Sequence, residues 1–320
     1  MEIMITGGAG YLGSVVTNMA LQKKYRVKTI DCLWFDHRVP LMHMHNPDYQ
    51  FFRYDISDAR CFPEYLNGVD YIVHTAAVVG EPASNKYPEL TRKVNYEASK
   101  KLIDAAQEYG VKGIVFLSTC SNYGVSEGVA TEDTPLQPLS LYAETKVNVE
   151  KYLEKQNGTN WVICRLSTIY GSSPRMRFDL TVNDFTANAF MKKYLDVFLP
   201  YTYRPYIHVY DVAHVLLKII ENFQDIKNNV FNVGFNGENY QKIAIAEIIK
   251  EFIPDLKIEI VEKGTDLRDY QVDFSKLKKL LNVDITYTVK DGVKEIINLL
   301  RNGIIDNPYE EKYYNTNIKT

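Results

Sequence analysis

The chain has 320 residues, of which 46% are hydrophobic, and its 40 acidic and 37 basic side chains give a formal net charge of -3. This length is enough for one large or two modest domains with a buried core. The charge balance and the absence of a basic run in the sequence argue against a nucleic-acid partner.

The cysteines are few and widely separated, which predicts reduced thiols rather than a disulfide framework or a metal site. They are Cys32, Cys61, Cys120 and Cys164. His43 and His45 have no nearby cysteine or carboxylate partner, so no metal is predicted. Met1 lies almost directly before the first apolar strand, and no apolar run reaches the roughly 20 residues of a membrane span. We therefore expect a soluble cytoplasmic protein without a membrane partner.

The first element in the chain is a glycine-rich turn between the apolar residues 3–5 and a helix-compatible stretch, residues 14–23. Gly7 suits a tight turn, Gly10 allows the backbone to approach a pyrophosphate, and Gly13 allows the helix to pack on the strand. The unpaired N–H groups of the new helix would face the phosphate charges. The turn therefore predicts a dinucleotide site.

The next apolar strand, residues 27–30, ends in an acidic residue. Asp31 stands at the offset of about 20 residues that is expected for a carboxylate bound to the adenosine ribose. Such a carboxylate repels the additional phosphate of NADP, so NAD is the predicted cofactor. Arg38 follows seven residues later and is interpreted as a solvated surface charge.

Farther along, short apolar segments alternate with amphipathic stretches of helical length, which predicts an α/β fold with a doubly wound parallel sheet of the Rossmann type. Strands are expected at residues 50–54, 71–75, 113–118 and 161–166, and helices at residues 87–109 and 142–155.

A smaller, discontinuous α+β lobe is predicted to follow, because the pattern loosens after residue 170. Residues 206–209 and 230–233 are expected to return to the sheet. The NAD-binding domain would then span 1–170 with about 204–234, and the second lobe about 171–203 with 235–320. The tail from Asn307 is polar and is predicted to be irregular.

Tyr142 and Lys146 stand four residues apart at the start of a predicted helix, so both side chains project from one face. An isolated tyrosine is a poor base at neutral pH, but a neighbouring cation favours the phenolate. The pair follows the strand at residues 113–117, and ligands bind at the carboxyl ends of strands in doubly wound sheets. The pair is therefore the predicted acid–base centre.

Together these residues make the chain resemble, over its full length, an extended short-chain dehydrogenase/reductase of the nucleotide-sugar epimerase/dehydratase family. The matching pieces are the glycine turn, Asp31, the Asp55-Ile56 pair, residues 74–77, Asn95, residues 119–124, Tyr142 with Lys146, residues 204–209 and Arg268.

The resemblance implies roles for many residues. Tyr142 would remove a sugar hydroxyl proton while hydride leaves the same carbon for NAD, with assistance from Thr119 and Lys146. The implied cofactor contacts are Gly7, Gly10, Tyr11, Leu12, Gly13, Asp31, Asp55, Ile56, Ala76, Ala77, Asn95, Tyr142 and Lys146. The expected substrate contacts are Val79, Thr119, Ser121, Thr168, Arg175, Arg177, Asn183, Arg204 and Arg268. Arg175 and Arg177 clamp a phosphate or an acidic sugar in one interpretation and lie in a solvated loop with one structural salt bridge in the other.

Departures from the family pattern reduce the number of reactions that the resemblance allows. The 4,6-dehydratases carry Asp-Glu after the catalytic threonine, where this chain has Cys120 and Ser121, so dehydration is the less favoured alternative. The remaining chemistry is oxidation at C4, followed by re-reduction (4-epimerase) or release of the ketone (4-dehydrogenase). Residues 173–185 and 78–82 resemble a subgroup that includes GDP-heptose 4-dehydrogenases of capsule assembly, which hold NAD(H) tightly.

We therefore expect NAD-dependent C4 oxidation of a GDP- or UDP-linked hexose or heptose. The alternative from another class is a catalytically silent, NAD(H)-sensing binding protein, which typically lacks the Tyr142 and Lys146 pair. The resemblance also implies a homodimer, with the helices after Tyr87 and Tyr142 forming a four-helix interface.

Overall fold

The computed structural model describes residues 1–35, 38–264, 266 and 268–319. Its strands are β1 (Glu2–Thr6), β2 (Arg26–Ile30), β3 (Tyr49–Phe52), β4 (Tyr71–His74), β5 (Gly113–Thr119), β6 (Val125–Ala130), β7 (Trp161–Leu166), β8 (Thr168–Tyr170), β9 (Tyr194–Phe198), β10 (Tyr203–His208), β11 (Asn229–Val233), β12 (Asn239–Gln241), β13 (Lys257–Val261) and β14 (Asp269–Val272).

The α-helices are α1 (Tyr11–Gln22), α2 (Phe62–Leu66), α3 (Glu81–Lys86), α4 (Pro88–Thr91), α5 (Ser99–Glu108), α6 (Leu141–Glu154), α7 (Thr181–Lys192), α8 (Val209–Glu221), α9 (Phe223–Ile226), α10 (Lys242–Phe252), α11 (Ser275–Leu281) and α12 (Val289–Arg301). A π-helical segment, Arg92–Ala98, joins α4 to α5, so the predicted single helix has an irregular centre.

Seven parallel strands form the main sheet in the order β11-β7-β5-β4-β1-β2-β3. The strands β1, β4, β5 and β7 are buried along their whole length, as expected for a parallel sheet that is covered on both faces. This confirms the predicted doubly wound fold. The strand order reverses between β1 and β4, which creates a crevice at the carboxyl ends of these strands.

Outside the main sheet, the described residues form a further core and three small sheets, which we call the small lobe and to which β6 and β8 contribute. The core includes Tyr170, Leu195, Tyr206, Ile249 and Val293. One sheet has the order β12-β10-β8, and the pairs β13-β9 and β14-β6 form the other two.

One predicted strand lies in another sheet. Residues 230–233 join the main sheet within β11, as expected, but residues 206–208 belong to β10 of the three-stranded sheet. The prediction that this segment returns to the main sheet is therefore wrong. Tyr206 packs in the core of the small lobe, whereas Val209 begins the helix α8 in the core beside the main sheet. The chain thus crosses between the lobes at the start of α8.

Within the described residues, none of the helices combines the length and the apolar character that crossing a membrane requires.

Candidate active site

A cavity of about 360 Å³ opens at the carboxyl ends of β1, β4 and β5. Its walls come from both lobes, because Gly10 and Thr119 lie on the main-sheet side and Arg204 and Arg268 on the other. A crevice beside the point where the strand order reverses is the usual ligand site of a doubly wound sheet.

The glycine turn has little room for side chains. Gly7 has a φ of +66°, which glycine adopts without strain. A Cβ atom on Gly13 would lie 2.1 Å from the carbonyl oxygen of Gly7, so only glycine lets α1 approach the turn this closely. At Gly10 the nearest atom to an added Cβ is this same oxygen, at 3.1 Å, and Gly10 faces the cavity. The turn therefore fits a dinucleotide phosphate at the start of a helix.

Asp31 fixes the end of β2 against the turn. Its two carboxylate oxygens accept hydrogen bonds from the backbone N–H of Ala9, at 3.1 Å, and of Leu33, at 2.8 Å. Burial raises the pKa of Asp31, and these two backbone hydrogen bonds act against the increase. The carboxylate lines the cavity, where the predicted contact with a ribose would be made.

The start of α6 positions the predicted acid–base pair. Ser140 caps the helix by accepting a hydrogen bond from the N–H of Ala143. Tyr142 and Lys146 both line the cavity, and the Lys146 Nζ lies 6.0 Å from the centre of the Tyr142 ring. The Lys146 Nζ also lies 4.9 Å from the centre of the Phe116 ring, so it is held on an aromatic surface of β5.

Burial controls the titration of this pair. It raises the pKa of Tyr142 to about 12, although Arg177 and Arg268 act in the opposite direction. It lowers the pKa of Lys146 to about 7, and the charge of Glu150 opposes this shift only in part. In the protein chain by itself, desolvation therefore outweighs the neighbouring charges at the Tyr142 phenol. Stabilisation of the phenolate by Lys146 remains a prediction.

A buried ion pair supports α6 one turn beyond Lys146. The Glu150 carboxylate binds the Nε and Nη2 of Arg165 on β7, with the Nη2 at 2.7 Å. The same carboxylate accepts hydrogen bonds from Ser118 and from Asn122. These contacts fix the helix to the ends of β5 and β7 and so hold Tyr142 and Lys146 in place, and Ser118 itself lines the cavity.

Charged side chains are paired with each other at the end of the cavity that the small lobe forms, which we call the sugar end. Asp266 binds Arg268 through two hydrogen bonds, of 2.7 and 2.9 Å, and also pairs with the Arg204 Nη2 at 3.0 Å. The Arg268 Nη1 donates to the Ser121 hydroxyl at 3.2 Å, and this hydroxyl lies 3.3 Å from the Tyr270 hydroxyl. The Arg268 Nη2 also lies 3.4 Å from a carboxylate oxygen of Glu81, so two guanidinium groups and two carboxylates meet at this end. The planar guanidinium groups have the geometry that suits an anionic ligand.

The other end, formed by the glycine turn and Asp31, is called the cofactor end. Two arginines of the small lobe reach it, and they differ in their partners. The Arg177 Nε and Nη2 bind the two oxygens of Asp179, at 2.8 and 3.1 Å. The Arg175 guanidinium lies 3.8 Å from the centre of the Phe35 ring, and burial lowers its pKa to about 9. Both arginines are buried, so the interpretation as a solvated loop is wrong.

The cavity brings together nearly all residues that the sequence singled out. Among its lining residues are Gly7, Gly10, Tyr11, Leu12, Gly13, Asp31, Asp55, Ile56, Ala76, Ala77, Val79, Thr119, Ser121, Tyr142, Lys146, Thr168, Arg175, Arg177, Arg204 and Arg268. The ligand contacts of these residues remain predictions.

Asn95 and Asn183 are not among the lining residues. Asn95 is buried and exchanges two hydrogen bonds with the backbone of Val78. Asn183 is also buried and bonds the backbone of Gly171 and of Arg177. The direct ligand contacts predicted for these two residues are not supported, because their amides already bond the protein chain. Asn95 and Asn183 instead hold the backbone segments that form the cavity wall.

Several lining residues were missed by the sequence analysis. Asp266 and Tyr270 flank the predicted Arg268, and the charged residues around that arginine were the available signal. Asn315 lies in the tail that was predicted to be irregular. Its backbone N–H donates to Asp179 at 2.9 Å and its amide to the Val79 carbonyl at 3.3 Å, so the tail forms part of the wall. No sequence pattern indicated this contact.

A doubly wound sheet with a glycine turn at its switch point and a Tyr–Lys pair in the same cavity defines a dinucleotide-dependent enzyme. Residues 3–234 match the NAD dependent epimerase/dehydratase family, and the chain belongs to that family. The arrangement of the glycine turn and Asp31 fits NAD, the cofactor of this family.

Relatives support this assignment. A Bacillus subtilis (strain 168) protein named uncharacterized UDP-glucose epimerase YtcB is 29% identical over 308 residues, covering 92% of this chain and 96% of the relative. The structure of a Thermotoga maritima UDP-glucose 4-epimerase with UDP-glucose matches with a TM-score of 0.83 and 27% identity, covering 95% of this chain and 100% of that chain. A Bacillus anthracis dTDP-glucose 4,6-dehydratase in complex with NAD shares the fold, with a TM-score of 0.82 and 23% identity over 95% of this chain and 97% of that chain.

Proposed function

We propose that this enzyme oxidises C4 of a nucleotide-linked sugar with NAD and then either re-reduces the 4-ketosugar or releases it. The observation that carries the proposal is the placement of Tyr142 and Lys146 in one cavity with the glycine turn and with Thr119. A proton acceptor and a hydride acceptor at the same carbon are what alcohol oxidation requires.

In the proposed reaction, the Tyr142 oxygen takes the proton of the C4 hydroxyl. The Thr119 hydroxyl bonds the same sugar oxygen and keeps it oriented, and its own oxygen already accepts a hydrogen bond from the Ser121 N–H at 3.1 Å. Lys146, when protonated, stabilises the phenolate through its positive charge. The glycine turn and Asp31 would hold NAD, which would supply the hydride acceptor for C4.

The residues after Thr119 disfavour dehydration. Cys120 is buried and donates to the Arg165 carbonyl at 3.2 Å, and burial raises the pKa of its thiol well above the usual range. Ser121 is the cavity residue at the next position, and a hydroxyl is a poor acid or base at neutral pH. Elimination of water needs a proton donor and a base beside the sugar, and this pair does not supply them.

The substrate class follows from the sugar end of the cavity. Arg204 and Arg268 present two guanidinium groups, whose planar geometry suits the oxygens of a diphosphate. UDP-glucose in the Thermotoga relative supports a UDP-linked sugar. Resemblance of residues 173–185 to GDP-heptose 4-dehydrogenases of capsule assembly supports a GDP-linked heptose, and the proposal includes both nucleotides.

The proposal is tested by incubating the purified enzyme with a panel of UDP- and GDP-linked hexoses and heptoses and following the products by NMR. Cofactor released by denaturation is identified in parallel. We expect NAD or NADH, and at least one sugar that is inverted or oxidised at C4. Bound NAD without a change at C4 of any sugar would contradict the proposed reaction and favour the NAD(H)-sensing alternative.

A further inference from the structure

Arg175 is a buried cation with an unsatisfied hydrogen-bonding edge. Its side chain is 4% exposed, and its Nε and Nη2 have no hydrogen-bond partner among residues 1–35, 38–264, 266 and 268–319. Burying a guanidinium without a partner is strongly unfavourable, so such a group points to a missing anion. The cavity that Arg175 lines is the place where an anion would meet it.

The unsatisfied edge is the one that suits two oxygens at once. Arg177, two residues further on, uses its Nε and Nη2 to bind both oxygens of Asp179. The same two nitrogens of Arg175 lack partners in the part of the chain that is described. A planar fork of this kind matches the paired oxygens of a carboxylate or a phosphate.

The loop that carries Arg175 lies against the cofactor end of the cavity. The Ser173 hydroxyl donates to the Tyr11 carbonyl at 2.6 Å and lies 3.1 Å from the Ser14 hydroxyl. This anchors the loop on the first turn of α1, where the glycine turn leaves N–H groups for a phosphate. The Phe35 ring under the Arg175 guanidinium follows Asp31 by four residues, which places the arginine between β2 and α1.

We propose that Arg175 binds the diphosphate of NAD, so that the small lobe supplies an anchor for the cofactor. The sequence placed Arg175 among the substrate contacts, whereas its neighbours Phe35, Asp31 and Tyr11 all belong to the cofactor end. At the sugar end, Arg268 is hydrogen-bonded to Asp266. The Arg204 Nη2 has no hydrogen-bond partner among the described residues, but it forms an ion pair with Asp266 at 3.0 Å, a contact that Arg175 lacks. The inference rests on NAD binding alone and does not depend on the reaction at C4.

The test compares Arg175→Met, which retains the apolar stem, and Arg175→Lys, which retains the charge but lacks the fork. Arg268→Met serves as the matched control at the sugar end. The first readout is the amount of NAD(H) that each purified enzyme releases on denaturation. The second is calorimetric binding of ADP-ribose and of UDP to the stripped enzymes. Circular dichroism reports whether each variant is folded.

Arg175→Met is expected to bind ADP-ribose about tenfold to hundredfold more weakly, the loss typical of a charged hydrogen-bonding partner, and to carry less NAD(H). Arg175→Lys should lie between this variant and the wild type, and UDP binding should stay unchanged in both. Arg268→Met should show the opposite pattern.

Unchanged ADP-ribose affinity in folded Arg175→Met would overturn the proposal, and so would a loss confined to UDP. If Arg175→Met does not fold, the same criteria apply to Arg175→Lys. Both readouts measure binding, so they give a result even if no sugar is oxidised.

Discussion

The two ends of the cavity are both lined by arginine, but they present it differently. At the cofactor end, the Nε and Nη2 of Arg175 have no hydrogen-bond partner among the described residues. At the sugar end, Arg204 and Arg268 share the carboxylate of Asp266. An anion beside Arg175 would be the partner that this buried cation lacks. An anion beside Arg204 and Arg268 would compete with the Asp266 carboxylate. From this difference we expect the cofactor to bind more tightly than the substrate.

The Asp266 carboxyl is half-buried beside two arginines. Although its burial acts in the opposite direction, hydrogen bonds from Arg268 and the charge of Arg204 hold its pKa well below the usual range. A diphosphate that approaches Arg204 and Arg268 therefore meets a neighbouring negative charge. We expect this repulsion to limit the affinity for the proposed substrate and to assist release of the product.

The largest expected effect is on kcat, for a substitution of Tyr142, which lies between the two ends of the cavity. Tyr142→Phe removes the proton acceptor and should lower kcat by about 10³-fold, within the range for loss of a general base. The amount of NAD(H) in the purified enzyme should change far less than kcat, because the glycine turn and Asp31 are unaltered. Steady-state kinetics and cofactor release measure the two quantities, with the exposed Tyr201→Phe as control. Full activity of Tyr142→Phe would show that the phenol is not the proton acceptor.

Lys146, at the centre of the cavity, should make the free energy of unfolding depend on pH. The folded-state pKa of Lys146 is about 7, below the unfolded value of 10.5, so the unfolded state binds the additional proton between these pH values. The destabilisation by Lys146 is therefore complete below pH 7 and decreases as the pH rises to 10.5, by at most about 1.4 kcal/mol per pH unit.

Lys146→Met should accordingly be more stable than the wild type at pH 7, with a difference that shrinks toward pH 10. Urea denaturation of both cofactor-stripped proteins at several pH values measures it. The exposed Lys290→Met serves as control for loss of a surface charge. A stability difference that is independent of pH would contradict the buried, titrating lysine.

At the sugar end, Arg268→Met should weaken binding of a UDP- or GDP-sugar by about tenfold to hundredfold, as for loss of a charged hydrogen bond. NAD(H) content should not change. Calorimetry with the nucleotide sugar measures the effect, and Arg301→Met, at the exposed end of α12, controls for the loss of a cation. A parallel loss of NAD(H) would show that the two ends are not independent.

The smallest of these effects is expected for Asp31→Asn at the cofactor end. The amide has only one acceptor oxygen for the two N–H groups that Asp31 binds, and it carries no charge to repel a ribose phosphate. We expect about tenfold weaker NADH binding and a smaller preference over NADPH. Fluorescence titration of both cofactors measures the preference, with the exposed Arg38→Gln as control. An unchanged ratio of the NADH and NADPH affinities would show that Asp31 does not determine the cofactor preference.

The sequence predicted the features that arise from neighbouring residues. The glycine turn and Asp31 belong to one strand–turn–helix–strand unit, in which spacing and residue type determine the geometry. The pair Tyr142 and Lys146 is set by the four-residue repeat of one helix. These parts of the fold and the site therefore followed from short segments.

The rest depends on contacts between distant segments. The sheet that receives Tyr206 is chosen by its pairing with Thr168, which local hydrophobicity does not encode. Asn315 reaches the cavity because the tail bonds Asp179 and Val79. Likewise, the different partners of Arg175 and its neighbours emerge only when both lobes are present. Such long-range pairing leaves no periodic pattern in the sequence.

The central claim is oxidation at C4, and a deuterium label at this carbon tests it most directly. UDP- and GDP-linked sugars deuterated at C4 are incubated with the enzyme, and the label is located by NMR and mass spectrometry in both sugar and cofactor. We predict deuterium in the cofactor beside a 4-ketosugar, or deuterium retained at an inverted C4. Label that remains on an unchanged C4 while C5 exchanges its hydrogen with solvent would contradict the account.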